Sequence, residues 1–219
     1  MRGAEVEPSL YAADFARLGE QIRELLRARA RIFHFDVGDG HFIEPVTMGP
    51  IVLQSIAPLV HEEGGVLDCH LMVDNPEHHF GQIAAAGGDS VTFHVEACPD
   101  FSAAAARARE LGLGVGLAFN PETTVEDALA ASADADLVLC MSIHPGYSGQ
   151  EFMPEAVERI RTLHSGLDGR AVVQVDGGIG AENARTVREA GATAIVAGSS
   201  IFAGPDPSAA YRRLRALVE

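Results

Sequence analysis

The stretch that decides the fold is RIFHFDVGDG, residues 31–40, in which an almost unbroken apolar run ends among glycine and acidic residues. The runs LVLCMSI (137–143) and AVVQV (171–175) have the same character. Short runs that are apolar nearly throughout are typical of strands buried on both faces of a parallel sheet. These three runs therefore predict a parallel sheet, from which the rest of the chain can be interpreted.

The same pattern continues on both sides, with short apolar runs separated by longer amphipathic stretches. Strands are predicted at residues 7–10, 31–36, 66–71, 90–94, 114–119, 137–143, 171–175 and 193–197. Helices are predicted at residues 14–28 and 50–59, from residue 75 onward, and at 101–111, 124–131, 154–163, 181–190 and 207–217. Each βα unit then averages about 27 residues, close to the minimum for a (β/α)8 barrel. The sequence predicts the α/β class and a single (β/α)8 TIM-barrel domain over residues 1–219.

The charge composition excludes several classes of function. The chain carries 31 acidic residues against 16 basic ones, a formal net charge of −15, and every basic residue is Arg. Without Lys there is no Schiff-base aldolase, no pyridoxal-phosphate enzyme of the usual lysine type and no GxxxxGK[ST] phosphate loop. The acidity argues against nucleic acid or an anionic membrane as a partner, because the long-range field repels both.

Three features predict a cytoplasmic protein. No apolar run reaches the roughly 18 residues that a membrane-spanning helix needs. The N-terminal sequence MRGAEVEPS (1–9) lacks the apolar stretch of a secretory signal peptide. Cys69, Cys98 and Cys140 are odd in number and unpatterned, which indicates buried reduced thiols rather than a disulfide framework.

Ionisable residues gather where the predicted strands end, which is the end of a (β/α)8 barrel that carries the chemistry. His34 and Asp36 are two residues apart, so they share one face of their strand. With His70 and Asp176 they form a candidate set of metal ligands. Two His and two carboxylates suit Zn²⁺, Mn²⁺, Fe²⁺ or Co²⁺ better than Mg²⁺. The alternative, that each is an ordinary hydrogen-bonded polar residue, is weakened by their occurrence together.

Other histidines near the strand ends are open to two interpretations. His94 and Glu96 fit a pair that supports the metal ligands about as well as they fit ordinary polar residues. His144 precedes a Gly-rich turn and is interpreted as a loop residue, although it could touch a substrate. The remaining histidines are predicted to lie on the surface: His41, His61, His78, His79 and His164.

Three Gly-rich turns follow the last three predicted strands: HPGYSGQ (144–150), DGGIG (176–180) and AGSSIF (197–202). Barrels commonly bind phosphate with the loops after strands 7 and 8, where Gly lets backbone N–H groups approach the anion. No Arg lies at a predicted strand end. A phosphate would therefore be held by peptide dipoles and by hydroxyls such as that of Ser199.

Taken together, these segments resemble the ribulose-phosphate 3-epimerase family over nearly the whole chain. The matching motifs, in order, are PSLYAADFARL (8–18), HFDVGDGHF (34–42), LDCHLMV (67–73), FHVEA (93–97), NPETTVE (120–126), MSIHPGYSGQEF (141–152), VDGGI (175–179) and AGSSIF (197–202). The resemblance implies a (β/α)8 barrel of the ribulose-phosphate-binding type that interconverts D-ribulose 5-phosphate and D-xylulose 5-phosphate in the pentose phosphate pathway. It also implies one divalent metal per subunit and a homo-oligomer, either a dimer or a hexamer.

Residue roles carry over by position. The resemblance makes Asp36 and Asp176 the acid/base pair as well as metal ligands, alongside His34 and His70. The substrate would be contacted by Ser9, His70, Gly146, Tyr147, Ser148, Gly149, Asp176, Gly177, Gly178, Gly198 and Ser199.

The chain departs from the family pattern near this site. Gly38 stands in place of a Met that flanks the metal in the family, which is expected to open space near the reacting carbons. The other departures are Tyr11, Glu44, Pro45 and Ser148. They raise the alternative that a different ketose phosphate, such as a hexulose 6-phosphate, is the substrate. Two further alternatives are a related phosphate-binding barrel with lyase or isomerase activity and a non-catalytic barrel that serves as a binding module.

Overall fold

The apolar runs form eight parallel strands in the computed structural model, which describes residues 4–219. Each strand from β2 to β7 pairs with the next strand along the chain, and β1 pairs with β8. A parallel bridge between Ser9 and His34 joins β1 to β2 and closes the barrel. The strands are β1 Glu5–Pro8, β2 Ile32–Gly38, β3 Val66–Met72, β4 Ser90–His94, β5 Gly114–Phe119, β6 Leu137–Met141, β7 Val172–Asp176 and β8 Ala194–Ala197.

Helices between the strands cover the outside of the barrel. Each presents an apolar face to the sheet, as Ile22 and Leu25 of the first helix do. The helices are α1 Leu18–Arg27, α2 Pro50–His61, α3 Glu77–Ala86, α4 Phe101–Glu110, α5 Val125–Ala131, α6 Ala156–Leu167, α7 Ala184–Ala190, α8 Ser199–Phe202 and α9 Pro207–Val218. Within residues 4–219, none of them has the length and apolar character needed to cross a membrane.

The predicted (β/α)8 fold is confirmed, but several predicted boundaries differ: β6 ends at Met141 rather than 143, α6 spans Ala156–Leu167 rather than 154–163, and α7 begins at Ala184 rather than 181. Two further differences lie near the N-terminus. The first strand ends at Pro8 rather than at residue 10, because the chain turns into a 3-10 turn at Leu10–Ala12. The first helix begins at Leu18 rather than at residue 14, because the Asp14 side chain caps a separate short turn. The Cys residues predicted to be reduced are free and buried.

Inward-facing polar side chains near the carboxyl end of the barrel stand in two layers, because residues two apart on a strand face the same side. The upper layer, next to the βα loops, consists of Ser9, Asp36, His70, His94 and Asp176. The lower layer, one step deeper, consists of Glu7, Asp68, Thr92 and Gln174. His34 contacts both layers.

Candidate active site

Strand pairing in the barrel brings together the four predicted metal ligands. On β2 and β3, Asp36 is aligned with His70, and its Oδ1 lies 3.3 Å both from the Nε2 of His34 and from the Nδ1 of His70. Across the barrel, the Oδ2 of Asp176 lies 3.9 Å from each of the same two nitrogens. One donor atom from each of the four residues lies within 4.8 Å of the others.

Two of these donor atoms lack hydrogen bonds. The Nε2 of His34 and the Nδ1 of His70 are buried, and neither has a hydrogen-bond partner among the described residues. A buried polar group without a partner is costly, so such groups in a native protein need an explanation. A divalent cation between the four residues would supply it, and the set of two imidazoles and two carboxylates fits that interpretation.

The two aspartates have pKa values displaced in opposite directions. Burial favours a higher pKa for Asp36, but His34 and His70 outweigh it and lower the pKa below its ordinary value. Burial raises the pKa of Asp176; the charge of His34 opposes this rise, and that of Asp36 adds to it. Two carboxyls whose surroundings push their pKa values apart are suited to act as a base and an acid.

A carboxylate of the lower layer also lies next to His34. Its Nδ1 lies 3.3 Å from the Oδ2 of Asp68 in the lower layer. Burial favours a lower pKa for His34, but Asp36 and Asp68 together raise it well above its ordinary value. The Nδ1 of His34, like its Nε2, has no hydrogen-bond partner among the described residues, so the Asp68 carboxylate acts on the ring as a neighbouring charge.

The lower layer is held by hydrogen bonds among its own members. The Nε2 of Gln174 donates to Glu7 at 2.6 Å and to Asp68 at 3.1 Å. Asp68 also accepts from the hydroxyls of Ser90 and Thr92. Burial, together with the charge of Asp68, raises the pKa of Glu7 to about 8. No role for this layer was predicted from the sequence, although the spacing of Asp68 two residues before His70 matches that of His34 and Asp36.

A second line of contacts leads away from His70. Its Nε2 lies 2.8 Å from the Nε2 of His94, and the two rings meet edge to edge, with centroids 5.0 Å apart and planes inclined by 22°. The Nδ1 of His94 lies 3.3 Å from the Oε2 of Glu96. Burial lowers the pKa of His94 to about 4. Of the two sequence interpretations, the structure favours a pair that supports the metal ligands, because His94 contacts the candidate ligand His70 and Glu96 contacts His94.

A cleft opens above the cluster and reaches the Gly-rich turns. It encloses about 530 Å³, open mouth included, and Asp36 and Asp176 lie on its wall. His70 is buried and does not line the cleft, so its predicted contact with substrate has no support here. The other predicted substrate contacts all line it: Ser9, Gly146, Tyr147, Ser148, Gly149, Asp176, Gly177, Gly178, Gly198 and Ser199.

Backbone geometry explains two of the glycines in the turn after β7. Gly177 and Gly178 have φ values of 123° and 64°, which L side chains rarely adopt. A Cβ on Gly178 would also lie 2.5 Å from the backbone nitrogen of Phe152. The hydroxyl of Ser142 donates to the carbonyls of Asp176 and Gly177 and so fixes the start of this turn.

The departures from the family pattern have identifiable surroundings. The space beside Gly38 is not open as expected, because the Cδ1 of Ile43 lies 2.5 Å from the position of a Cβ there. Glu44 lies close enough to Tyr147 to raise the pKa of its hydroxyl, so the loops after β2 and β6 meet here. The Oγ of Ser148 lies 3.5 Å from the position of a Cβ on Gly198, so its hydroxyl faces the turn after β8.

Fold and cleft together define a class of protein: a (β/α)8 barrel with a candidate metal centre beneath Gly-rich turns of the kind that barrels use for phosphate. The model of the ribulose-phosphate 3 epimerase family matches residues 5–202. The chain belongs to this family. Its members interconvert D-ribulose 5-phosphate and D-xylulose 5-phosphate, which places the chain among the isomerases.

Individual relatives agree with this assignment. A ribulose-phosphate 3-epimerase of Synechocystis sp. is 40% identical over 215 residues, covering 96% of this chain and 92% of that protein. The Bacillus subtilis enzyme of the same name is 35% identical and covers 96% and 98% of the two chains. A more distant solved structure, 3-hexulose-6-phosphate synthase from Salmonella typhimurium, shares the fold with a TM-score of 0.73 at 15% identity, covering 97% of each chain.

Proposed function

We propose that this chain is a metal-dependent ketose-phosphate 3-epimerase in which Asp36 and Asp176 move the proton. The observation that carries the proposal is the cluster itself. Two carboxyls with oppositely displaced pKa values flank two unpartnered imidazole nitrogens at the base of a cleft. His34, Asp36, His70 and Asp176 would hold the cation, with Zn²⁺, Mn²⁺, Fe²⁺ and Co²⁺ as the candidates.

Inversion at a carbon next to a carbonyl requires a base on one face and an acid on the other. Asp36 has the lowered pKa and is the ionised partner that can accept the proton at C3. Asp176 has the raised pKa and can hold a proton to return to the opposite face. When bound, the cation supplies Lewis-acid stabilisation of the negative charge that develops as the proton leaves. In the reverse direction the two carboxyls exchange roles.

The hydroxyl of Ser9 positions the proposed base. It donates to the Oδ2 of Asp36 at 2.7 Å, while the Oδ1 of Asp36 faces the histidines. Ser9 lines the cleft, so the same hydroxyl can also contact substrate. We assign it both functions.

The phosphate group is placed among the Gly-rich turns at the other end of the cleft. Gly146, Gly178 and Gly198 leave the backbone accessible there, and the Ser148 and Ser199 hydroxyls add donors. This anion site uses neutral groups in place of the Lys and Arg clamps common elsewhere. Cation and peptide dipoles together would offset the repulsion from a chain of net charge −15.

D-Ribulose 5-phosphate is the substrate that the cleft supports best. The side chain of Ile43 fills the space beside Gly38, so this departure does not enlarge the site. A hexulose 6-phosphate remains the second candidate because Glu44 and Ser148 change the polarity of the mouth. Comparing kcat/KM for the two sugars tests the choice, and a preference for the hexulose phosphate would overturn it. Homo-oligomerisation and a cytoplasmic location stay predictions from the sequence.

The two-aspartate assignment is tested with Asp36→Asn and Asp176→Asn. The epimerisation rate of each variant is expected to fall by about 10²–10⁴-fold. In D₂O, each variant should still exchange the C3 hydrogen for deuterium in only one of the two sugar epimers. The epimer that exchanges in Asp36→Asn should be the opposite of the one that exchanges in Asp176→Asn. Asp74→Asn, an exposed aspartate just after β3, is the matched control and should behave as the unmodified chain. Epimerisation at the unmodified rate in either active-site variant would refute the assignment.

A further inference from the structure

His94 and Glu96 stand outside the four candidate ligands, yet His94 contacts one of them, His70, in a way that constrains its protonation, and Glu96 contacts His94. The Nε2 atoms of His70 and His94 are 2.8 Å apart. Two imidazole nitrogens at this distance form a hydrogen bond only when one carries a proton and the other does not. The tautomers of the two rings are therefore tied together.

The metal side of His70 determines which tautomer is productive. Its Nδ1 faces Asp36 and the cluster, so ligation through this atom requires its lone pair. The proton of His70 must then lie on Nε2, and the Nε2 of His94 must accept it. His94 consequently carries its own proton on Nδ1, the atom 3.3 Å from the Oε2 of Glu96.

The carboxylate of Glu96 is held in one orientation, in which its Oε2 accepts a hydrogen bond from His94. Its Oε1 accepts from the backbone N–H of Asn120 at 2.7 Å and from the hydroxyl of Thr123. The side chain is only 23% exposed, so water does not compete freely for the Oε2. The loop after β5 thereby fixes the carboxylate that faces His94.

We propose that Glu96 and His94 are positioning residues that set the tautomer of His70 and so prepare it to bind the cation. The chain of hydrogen bonds runs from the loop after β5 through Glu96 and His94 to His70. A carboxylate at its end favours the required proton positions and increases the basicity of the ligand. This inference rests on the proposed metal site and adds two residues that neither touch the cation nor line the cleft.

Glu96→Gln is the decisive variant. The Asn120 N–H and the Thr123 hydroxyl both require an acceptor. The amide oxygen of the new glutamine therefore accepts both hydrogen bonds, and its NH₂ group turns toward His94. His94 is then driven to the tautomer protonated on Nε2, which leaves the His70 proton on Nδ1. Zn²⁺ affinity, measured by competition with a chromogenic chelator, is expected to fall by about 10–100-fold, the usual effect of losing an outer-shell partner. Glu126→Gln, an exposed glutamate in α5, removes the same charge and should leave the affinity unchanged.

His94→Gln tests whether Glu96 acts through His94. The Oε1 of a glutamine at this position can accept the His70 proton without help from position 96. The variant should retain most of the Zn²⁺ affinity, and adding Glu96→Gln to it should have no further effect. If the Glu96→Gln loss is the same in both backgrounds, Glu96 does not act through His94 and the proposal is wrong.

Nitrogen-15 NMR of the zinc-loaded protein reads the tautomers directly. The proposal requires protons on the Nε2 of His70 and the Nδ1 of His94. If the unmodified chain binds Zn²⁺, Asp36→Asn binds it weakly and Glu96→Gln binds it normally, only this inference fails. If neither the unmodified chain nor Asp36→Asn binds Zn²⁺, the proposed metal site itself fails.

Discussion

The two polar layers inside the barrel have similar compositions but differ in how fully their polar atoms are hydrogen-bonded. In the lower layer, Glu7, Asp68 and Gln174 are joined to one another, and Asp68 gains two further donors. In the upper layer, the inward nitrogens of His34 and His70 have no hydrogen-bond partners among the described residues. On each strand, the residue of the lower layer lies only two positions before the residue of the upper layer.

This difference shows that buried polarity alone does not identify a site. Most polar atoms of the lower layer are hydrogen-bonded within it, with the Oε1 of Gln174 as an exception, so this layer can orient its neighbours. The upper layer leaves potential metal-binding nitrogens without hydrogen-bond partners beside a cleft, so a ligand that enters the cleft can satisfy them. His34 belongs to both, since one ring nitrogen faces Asp68 and the other faces the cluster.

The largest expected effect concerns the lower layer and the pH dependence of stability. The pKa of Glu7 rises from 4.5 to about 8 on folding. The folded state therefore holds a proton that the unfolded chain has released between these pH values. The stabilisation is complete below pH 4.5 and is lost as pH rises toward 8. Relative to Glu7→Gln, the unmodified chain should become less stable by a few kcal/mol, on the order of 4, at pH 9.

Urea unfolding of both chains from pH 5 to pH 9 measures this difference. Glu5→Gln, on the same strand but exposed, is the matched control and should give a nearly constant difference over the range. A constant difference for Glu7→Gln as well would mean that Glu7 is ionised in the folded state, and the contrast between the layers would weaken.

The next effect concerns the upper layer and the binding of the cation. Because Asp36 and Asp68 raise the pKa of His34 against the effect of burial, the cation must displace a proton from His34. Affinity for Zn²⁺ should therefore increase with pH, by about tenfold per pH unit for each proton released. Calorimetry in two buffers of different ionisation enthalpy counts the protons. Binding without proton release would show that His34 is already neutral.

The smallest effect concerns the far end of the cleft. Ser148→Gly removes one hydroxyl from the proposed phosphate site and leaves the metal cluster intact. One neutral hydrogen bond contributes about 1 kcal/mol, so KM should rise roughly fivefold with little change in kcat. The effect should disappear with unphosphorylated D-ribulose as substrate. An equal effect on both sugars would place Ser148 away from the phosphate.

The sequence predicted the upper layer because its members fall where apolar runs end, and the barrel brings such ends together. His34, Asp36, His70 and Asp176 could be selected from that rule alone, before any resemblance was considered. The lower layer could not, since which buried residues meet across a barrel depends on the stagger between strands. Glu7 and Gln174 are 167 residues apart in the chain, and only the closed sheet makes them neighbours.

Local contacts of the chain also determined features that the sequence pattern did not predict. The expected opening beside Gly38 was wrong because Ile43, five residues on, folds back over it. The shifted start of α1 depends on one side-chain cap at Asp14, a contact that competes with helix formation without changing the apolar pattern.

The bridge between Ser9 and His34 closes the barrel at the residue that also belongs to the metal cluster. Three of the four candidate ligands lie within the first 70 residues, whereas the fourth arrives only with β7. A chain emerging during synthesis thus holds an incomplete site until most of the barrel has been made. Tight cation binding would then require a nearly finished molecule, since Asp176 lies on the seventh of the eight strands.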